Sequence, residues 1–444
     1  MRWLQIYAPI LSGLLKDQRL LAEETYRLMH FVVRQPVEEG LLLYNVLTRA
    51  VVLLSHEEEA KMQENPASVP ELVAKWFAVP LLHDDRRLAQ EVRAVGKMLQ
   101  NPIRSIKTYT ILTTTDCNAR CFYCYEKGRQ RIPMRNETAL KVVDFILKNR
   151  PDETVHLRWF GGEPLYNKGV ISLICRKLHD AGVDYRSSMV SNGYLFGESV
   201  VDEAVSLWNL KKVQITLDGT ENVYNRTKAF IDPDGSPYQR VLRNIHLLLD
   251  ADIRVSIRLN IDRHNADDLL ALADILSEEF KGEKRLSVYS HVLFETGSEN
   301  SAVLHTDSQR QDLFQVRMQL QELFREHGLS RSDSFPHALK LNRCMADDDG
   351  SVLILPDGHL GKCEHFTDDH WYGTVDSAER NETVLEDFKR VRKELDACAL
   401  CPFYPDCVRL SLCEEANHCY PEEREEMLQD ARRRMMALYA KNEI

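Results

Sequence analysis

No run of about 18 consecutive apolar residues occurs in the chain, so no segment reads as a membrane-spanning helix. Positive charge is not in surplus either: 57 Lys and Arg stand against 68 Asp and Glu, a net of −11. That balance argues against a general affinity for nucleic acid or for an anionic membrane. Met1-Arg2 followed by Trp3 to Leu15 has the outline of a secretion signal. However, Gln5, Tyr7 and Pro9 interrupt it, and no small-residue cleavage site follows. The stretch is expected to be the first structural element of a cytoplasmic protein. Low-complexity tracts and repeats of solenoid period are also missing.

Cysteine is what the sequence has in excess, eleven in all. Disulfides belong to oxidising compartments. In a cytosolic chain, closely spaced cysteines more often bind metal or do catalysis. Three lie at 117–124, one at 175 and seven between 344 and 419. Cys175 sits within an apolar helical stretch, Ile171 to Leu178, and is expected to be a buried small hydrophobe.

The chain divides by pattern. Residues 1–100 read as strands (His30 to Arg34, Gly40 to Thr48, Ala50 to Leu54) and then three helices opening near Glu57, Pro70 and Asp84. The order resembles a small winged-helix unit, and its predicted hairpin offers strand edges. From 105 to 300, strands alternate with helices. The strands are Ile106–Thr115, Val155–Phe160, Ser187–Val190, Val213–Leu217, Arg254–Asn260 and Leu286–Leu293. Helices are expected over Glu137–Lys148, Gly169–Ala181, Tyr238–Ala251 and Ala266–Phe280. Six β–α units in series imply a parallel sheet with outer helices, a partial TIM-like barrel of the α/β class. Cys117, Gly161, Ser191, Asp218 and Asp262 each follow a strand, where such folds place their ligands. A helical bridge spans 301–343, and a cysteine-rich region, closed by a helix over Pro421–Lys441, spans 344–444.

Directly after the first barrel strand stands Cys117-Asn-Ala-Arg-Cys121-Phe-Tyr-Cys124. A structural zinc site wants four ligands, and no fourth is near in sequence. Three thiolates on one tight loop can hold three irons of a [4Fe–4S] cube and leave the fourth open. The C-x3-C-x2-C spacing, with aromatic Tyr123 before the last cysteine, resembles the signature of the radical S-adenosylmethionine (SAM) superfamily. So do Gly161-Gly162-Glu163-Pro164 after the second strand and Ser191-Asn192-Gly193 after the third. The resemblance implies that Cys117, Cys121 and Cys124 carry the SAM-binding cluster. It also implies reductive cleavage of SAM to a 5′-deoxyadenosyl radical. Tyr123, Gly161, Gly162, Glu163, Ser191, Asn192, Thr216, Arg258 and Asn260 are then the expected SAM contacts. Glu163 would partner the SAM ammonium and Arg258 its carboxylate.

Cys344-x13-Gly358-x4-Cys363, followed by Cys398-x2-Cys401-x5-Cys407-x5-Cys413-x5-Cys419, resembles the SPASM extension of radical SAM enzymes that act on peptides and proteins. One departure stands out. Ser411 occupies the position of an expected cysteine, and Cys413 comes two residues late. The resemblance implies a first auxiliary cluster on Cys344, Cys363 and Cys413 and a second on Cys398, Cys401, Cys407 and Cys419. The first lacks one ligand, with water, Asp348, His365 or substrate as candidates. Glu126, Asp218, Glu295 and Asp357 are acid–base candidates by position, with solvated surface as the plainer account of each. The catalytic side chain stays unassigned.

These resemblances imply a peptide maturase with SAM and three [4Fe–4S] clusters. Its partners would be a leader-bearing ribosomal precursor peptide, bound by the N-terminal unit as an added strand, and an electron donor such as flavodoxin or ferredoxin. Two alternatives stand beside it. One is a sulfatase-maturase-like oxidation of a protein Cys or Ser. The other is a zinc-stabilised peptide-binding protein without turnover.

Overall fold

The computed structural model describes residues 1–5, 25–101, 105–293, 307–330, 335–365, 370–391, 393–413 and 419–441. Most of the apolar start at Trp3 to Leu15, and Glu295, lie outside them.

The N-terminal unit comprises strands β1 (Arg2–Gln5), β2 (Tyr26–Leu28), β3 (Val32–Val37), β4 (Gly40–Asn45) and β5 (Val51–Ser55). Helices α1 (His56–Glu64) and α2 (Pro70–Ala74), strand β6 (Ala78–Pro80) and helix α3 (Asp85–Gln100) follow. β4 is buried along its whole length because it is the central apolar strand, Gly-Leu-Leu-Leu-Tyr-Asn. The turn after it is built by Asn45, whose Oδ1 accepts the N–H groups of Leu47 and Thr48. α1 opens on a capping box of Ser55 and Glu58. The sheet order is β1-β5-β4-β3. Of the hairpin edges expected from the sequence, one is taken because β1 pairs antiparallel with β5; the outer edge of β3 pairs with no strand among the described residues, and the C-terminal helix packs against that strand.

The second unit is the alternating one. Its strands are β7 (Thr108–Thr114), β8 (Val155–Gly161), β9 (Tyr185–Ser191), β10 (Leu210–Thr216), β11 (Arg254–Ile261) and β12 (Leu286–Val292). All neighbours pair in parallel and in chain order. The crossovers carry α4 (Asn136–Asn149), α5 (Lys168–Asp180), α6 (Glu198–Ser206), α7 (Glu221–Lys228), α8 (Pro237–Asp250) and α9 (Ala266–Glu279). α6 and α7, of nine and eight residues, are too short to show a helical period in the sequence. The largest core fills the space between these strands and helices, around Trp159 and Trp208. It includes Cys175, fully buried as expected.

After α10 (Asp307–Glu326) the chain enters the cysteine-rich region, with β13 (Ser351–Ile354), β14 (His359–Gly361), β15 (Gly373–Thr374), α11 (Glu382–Lys389) and α12 (Pro421–Lys441). β13 pairs in parallel with β7, so the sheet runs on as β12-β11-β10-β9-β8-β7-β13-β14-β15. A parallel strand at the edge of the six leaves backbone groups unpaired, and β13 satisfies them. The sheet therefore crosses the boundary expected near 344. A second core unites distant stretches: Phe31, Tyr44, Ala89 and Val92 pack with Phe335, Phe403, Tyr404, Met435 and Tyr439.

Candidate functional site

The carboxyl ends of β7 to β12 converge on the Cys117–Cys124 loop. Thr114 Oγ1 accepts the Asp116 N–H at 3.0 Å, and Asp116 Oδ1 accepts the Cys117 N–H at 2.8 Å. Arg120 then ties the loop together from inside, donating to the carbonyls of Cys117 at 2.5 Å and Ala119 at 2.7 Å. The loop is held in shape by its own polar residues.

The two glycines of Gly161-Gly162-Glu163-Pro164 serve that loop as neighbours. A Cβ on Gly161 would lie 2.1 Å from the Thr114 carbonyl oxygen, and one on Gly162 would lie 2.4 Å from that of Asp116. Gly161 also has φ +126°, a region open mainly to glycine. Both glycines, expected from the resemblance as SAM contacts, also allow the turn to lie flat on the cysteine loop. Glu163 is fully buried. Its carboxylate accepts Ser191 Oγ at 2.9 Å, Asn192 N at 2.8 Å and Leu165 N at 3.2 Å. It therefore joins two of the predicted turns. Burial pushes its pKa up to about 7 against these hydrogen bonds.

Asn192 continues the chain of contacts, its Nδ2 reaching Asn118 Oδ1 at 2.7 Å and Cys117 Sγ at 3.7 Å. Thr216 and Arg258 are register partners on β10 and β11, and Arg258 Nε donates to Asn260 Oδ1 at 2.8 Å. Tyr123, Ser191, Asn192, Thr216, Arg258 and Asn260 thus gather at one end of the sheet. A cavity of about 450 Å³ opens there, lined by Tyr123, Arg226, Asn260, Asp262, His264 and Leu293 among others. That volume lies within the range of small-molecule sites.

Two acid–base candidates turn out to be other than solvated surface. Asp218 is fully buried, and with it lies Lys228 from the end of α7, 2.8 Å away. Tyr123 completes the group: its hydroxyl donates to Asp218 and accepts from Lys228 Nζ at 2.8 Å. Burial alone would lower the Lys228 pKa, but the charge of Asp218 holds it above its ordinary value. Lys228 has no motif around it, and a lysine at a helix end reads as surface by default. Glu126 has a buried Oε1 with no partner, and burial lifts it to about 7. Asp357 is half-exposed and paired with His359 at 2.9 Å, as a surface residue would be.

The ten clustered cysteines fall into three groups in space. Cys117 lies within electrostatic reach of Cys121 and Cys124. Cys363 feels Cys344 and Cys413. Cys401 feels Cys398, Cys407 and Cys419. Cys413, the residue displaced in sequence, thus lies with Cys344 and Cys363. Among the candidates for a fourth ligand there, Asp348 is engaged by Gly350 N at 2.9 Å and Ser351 Oγ at 2.8 Å. His365 lies against the Tyr125 ring, 4.4 Å between centroids. The acid whose charge reaches both Cys344 and Cys363 is Glu364, which no motif marks.

The donor set fits iron–sulfur chemistry. Buried thiols are pushed up, Cys117 to about 12 and Cys124 to about 11, chiefly by desolvation, so a bound cation must displace their protons. N–H groups already point at sulfur: Ala119 N lies 3.3 Å from Cys117 Sγ and Ala346 N lies 3.4 Å from Cys344 Sγ. Asn118 Nδ2 is buried beside Cys117 with no partner. Among the described residues no three His, Cys, Asp or Glu side chains converge as ligands of a single ion. A cube of four irons sets its ligands farther apart than one ion does.

A parallel α/β sheet with a three-cysteine loop at its carboxyl end is the framework of an enzyme that uses an open iron–sulfur corner. Residues 111–276 match the family model of the Radical SAM superfamily. The alternating unit is thus a radical SAM enzyme domain, followed in the chain by an auxiliary cysteine-rich region. Among curated relatives, GTP 3′,8-cyclase of Clostridium perfringens strain 13 is 24% identical over 275 residues, 59% of this chain and 82% of the relative. Fe-coproporphyrin III synthase of Methanosarcina barkeri is 24% identical over 167 residues, 37% of this chain and 40% of the relative. Among solved structures, Streptococcus suis SuiB bound to SAM aligns with TM-score 0.54 at 12% identity, covering 89% of this chain and 97% of SuiB. anSMEcpe with SAM and the Cp18Cys peptide aligns with TM-score 0.58 at 16% identity, covering 76% of this chain and 99% of anSMEcpe. At such identities the structures speak for the fold. No helix among the described residues is long and apolar enough to cross a membrane.

Proposed function

We propose that the chain modifies a side chain of a peptide or protein by SAM-derived radical chemistry. The observation that carries this reading is the convergence of the Gly161–Pro164 turn and Ser191–Asn192 on the Cys117–Cys124 loop, whose Phe122 and Tyr123 line the cavity, with two further cysteine groups in the C-terminal region. Cys117, Cys121 and Cys124 hold the first [4Fe–4S] cluster. Cys344, Cys363 and Cys413 hold a second, and Cys398, Cys401, Cys407 and Cys419 hold a third. When bound, the first cluster supplies an electron that cleaves SAM to a 5′-deoxyadenosyl radical. The chain's own part is placement. Glu163 fixes the two turns beside the loop, Tyr123 is braced by Asp218 and Lys228, and Thr216, Arg258 and Asn260 offer polar contacts to SAM.

Within this reading, a sulfatase-maturase-like oxidation of a Cys or Ser stands first, because the likeness to the anSMEcpe peptide complex has TM-score 0.58 against 0.53 for SuiB with its precursor peptide. A leader-bearing precursor peptide stands second. It is supported by the strand-then-helix unit over residues 26–100, which we read as winged-helix-like, and by SuiB, whose structure has been solved with precursor peptide SuiA. The reaction would take place in the cytoplasm, with a flavodoxin or ferredoxin as donor.

The test is anaerobic incubation of reduced enzyme and SAM with three substrates: a Cys- or Ser-bearing protein segment, a leader-bearing peptide, and GTP. Oxidation of a lone Cys or Ser supports the first reading, and a leader-dependent cross-link supports the second. Consumption of GTP alone, with both peptides untouched, contradicts the proposal.

A further inference from the structure

Helix α3 of the N-terminal unit carries Arg86, Gln90, Arg93 and Lys97 at spacings of four, three and four, which places them on one face. All four reach the cysteine-rich region. Arg86 pairs with Glu394 at 2.8 Å. Gln90 donates to the hydroxyl of Tyr404 at 2.7 Å. Arg93 donates to the carbonyls of Tyr404, at 3.3 Å, and Pro405, just before Cys407. Lys97 pairs with Asp347 at 3.0 Å. Asp347 Oδ1 in turn accepts the backbone N–H of Arg343 at 2.8 Å and of Cys344 at 3.2 Å.

The approach is close as well as polar. A Cβ on Gly96 would lie 2.7 Å from Leu341 Cδ2. From the β4–β5 turn, Arg49 adds a second grip on the Cys407 loop, bonding Asp406 Oδ1 at 2.5 Å and the Ala338 carbonyl at 2.9 Å. Arg49 holds φ +66° to do so, a conformation that a non-glycine residue keeps only where its surroundings fix it. Cys398 and Cys401 pack against the core that α3 shares with the C-terminal region.

We propose that this stripe positions the two cysteine groups of the C-terminal region separately: Lys97, through Asp347, the Cys344 loop, and Arg93 the Cys407 loop. The proposal rests on the assignment of auxiliary clusters to those groups. The stripe acts in two ways. It fixes loop geometry, and it sets fixed positive charge near sulfur ligands. The Asp347 side chain is 1% exposed, so without Lys97 a buried carboxylate is left uncompensated beside Cys344. Negative charge near a cluster disfavours adding an electron and moves its potential down. The N-terminal unit is then part of the redox apparatus as well as a candidate peptide-binding element.

The experiment compares full-length Lys97→Met and Arg93→Met, reconstituted anaerobically, with Lys97→Arg and Arg93→Lys as conservative variants. Iron per chain is counted, and reduction potentials are read by paramagnetic resonance, with signals assigned through Cys363→Ser and Cys401→Ser. We expect Lys97→Met to shift only the signal lost in Cys363→Ser to more negative potential. Arg93→Met should shift only the signal lost in Cys401→Ser, and each conservative variant should restore its own. Dithionite-driven SAM cleavage, unchanged in all four, verifies the barrel. A wild-type chain with about four irons in place of about twelve would overturn the cluster assignment, and this inference with it. About twelve irons with both potentials indifferent to the substitutions, or both shifted by either one, would overturn the inference alone.

Discussion

The two cysteine regions of this chain are built on opposite plans. The Cys117–Cys124 loop is local: three cysteines within eight residues, shaped by Asp116 and Arg120 of the same loop and seated on strand ends that follow in chain order. The C-terminal region gathers seven cysteines from 344 to 419, and its loops are gripped by a helix some 250 residues earlier in the chain. A local site can be stabilised by its own turn chemistry. A dispersed site needs scaffolding from elsewhere, and here α3 and Arg49 supply it.

Three substitution experiments and one truncation press on that contrast. Replacing Cys117, Cys121 and Cys124 together with Ala should abolish formation of 5′-deoxyadenosine while leaving iron at about two-thirds of wild type. Deoxyadenosine production that survives, measured by chromatography, would contradict the assignment of the local loop. Lys228→Met should come next in severity. It leaves Asp218 buried without its cation, at a cost of about 3–5 kcal/mol, visible in denaturant unfolding. Truncation of residues 1–95 should strip the shared core around Phe31, Tyr44 and Tyr404 and lower iron on the C-terminal cysteines. The N-terminal unit is therefore not a detachable module, and point variants are the way to probe its peptide binding. Arg49→Met should be milder, about 1.5–3 kcal/mol for lost charged hydrogen bonds, with iron loss confined to the group containing Cys407.

A smaller effect concerns pH. The folded-state pKa of Glu163 is raised to about 7 from 4.5, so between those values the native state holds more protons than the unfolded chain. Stability from this group therefore falls as pH rises through that window. Glu163→Gln should flatten the decline between pH 5 and 7 in thermal unfolding of the metal-free protein. An unchanged slope would show that Glu163 does not titrate in that range.

The contrast also explains what the sequence made legible. The six parallel strands and the places of Cys117, Gly161, Ser191 and Asp218 could be read because period and turn residues are local signals. The partition of the later cysteines into two sets came from family spacing alone, and the place of Cys413 near Cys344 and Cys363 required the fold. Lys228, Glu364 and Lys97 could not be read. Each is a charged residue on a helix or turn with no pattern of its own, and each acquires its partner only through tertiary packing. The addition of β13 to the sheet was hidden for the same reason, since a four-residue apolar run carries no sign of the strand it will join. Glu163 was found, but its engagement by Ser191, Asn192 and Leu165 required the fold.

We propose that one local cysteine loop performs SAM chemistry and that two dispersed groups hold auxiliary clusters. Anaerobic purification, followed by iron analysis and assay of dithionite-driven SAM cleavage on the same sample, tests it most directly. A brown protein with about twelve irons per chain that forms 5′-deoxyadenosine is the predicted result. A colourless, zinc-bearing protein that leaves SAM intact would contradict it.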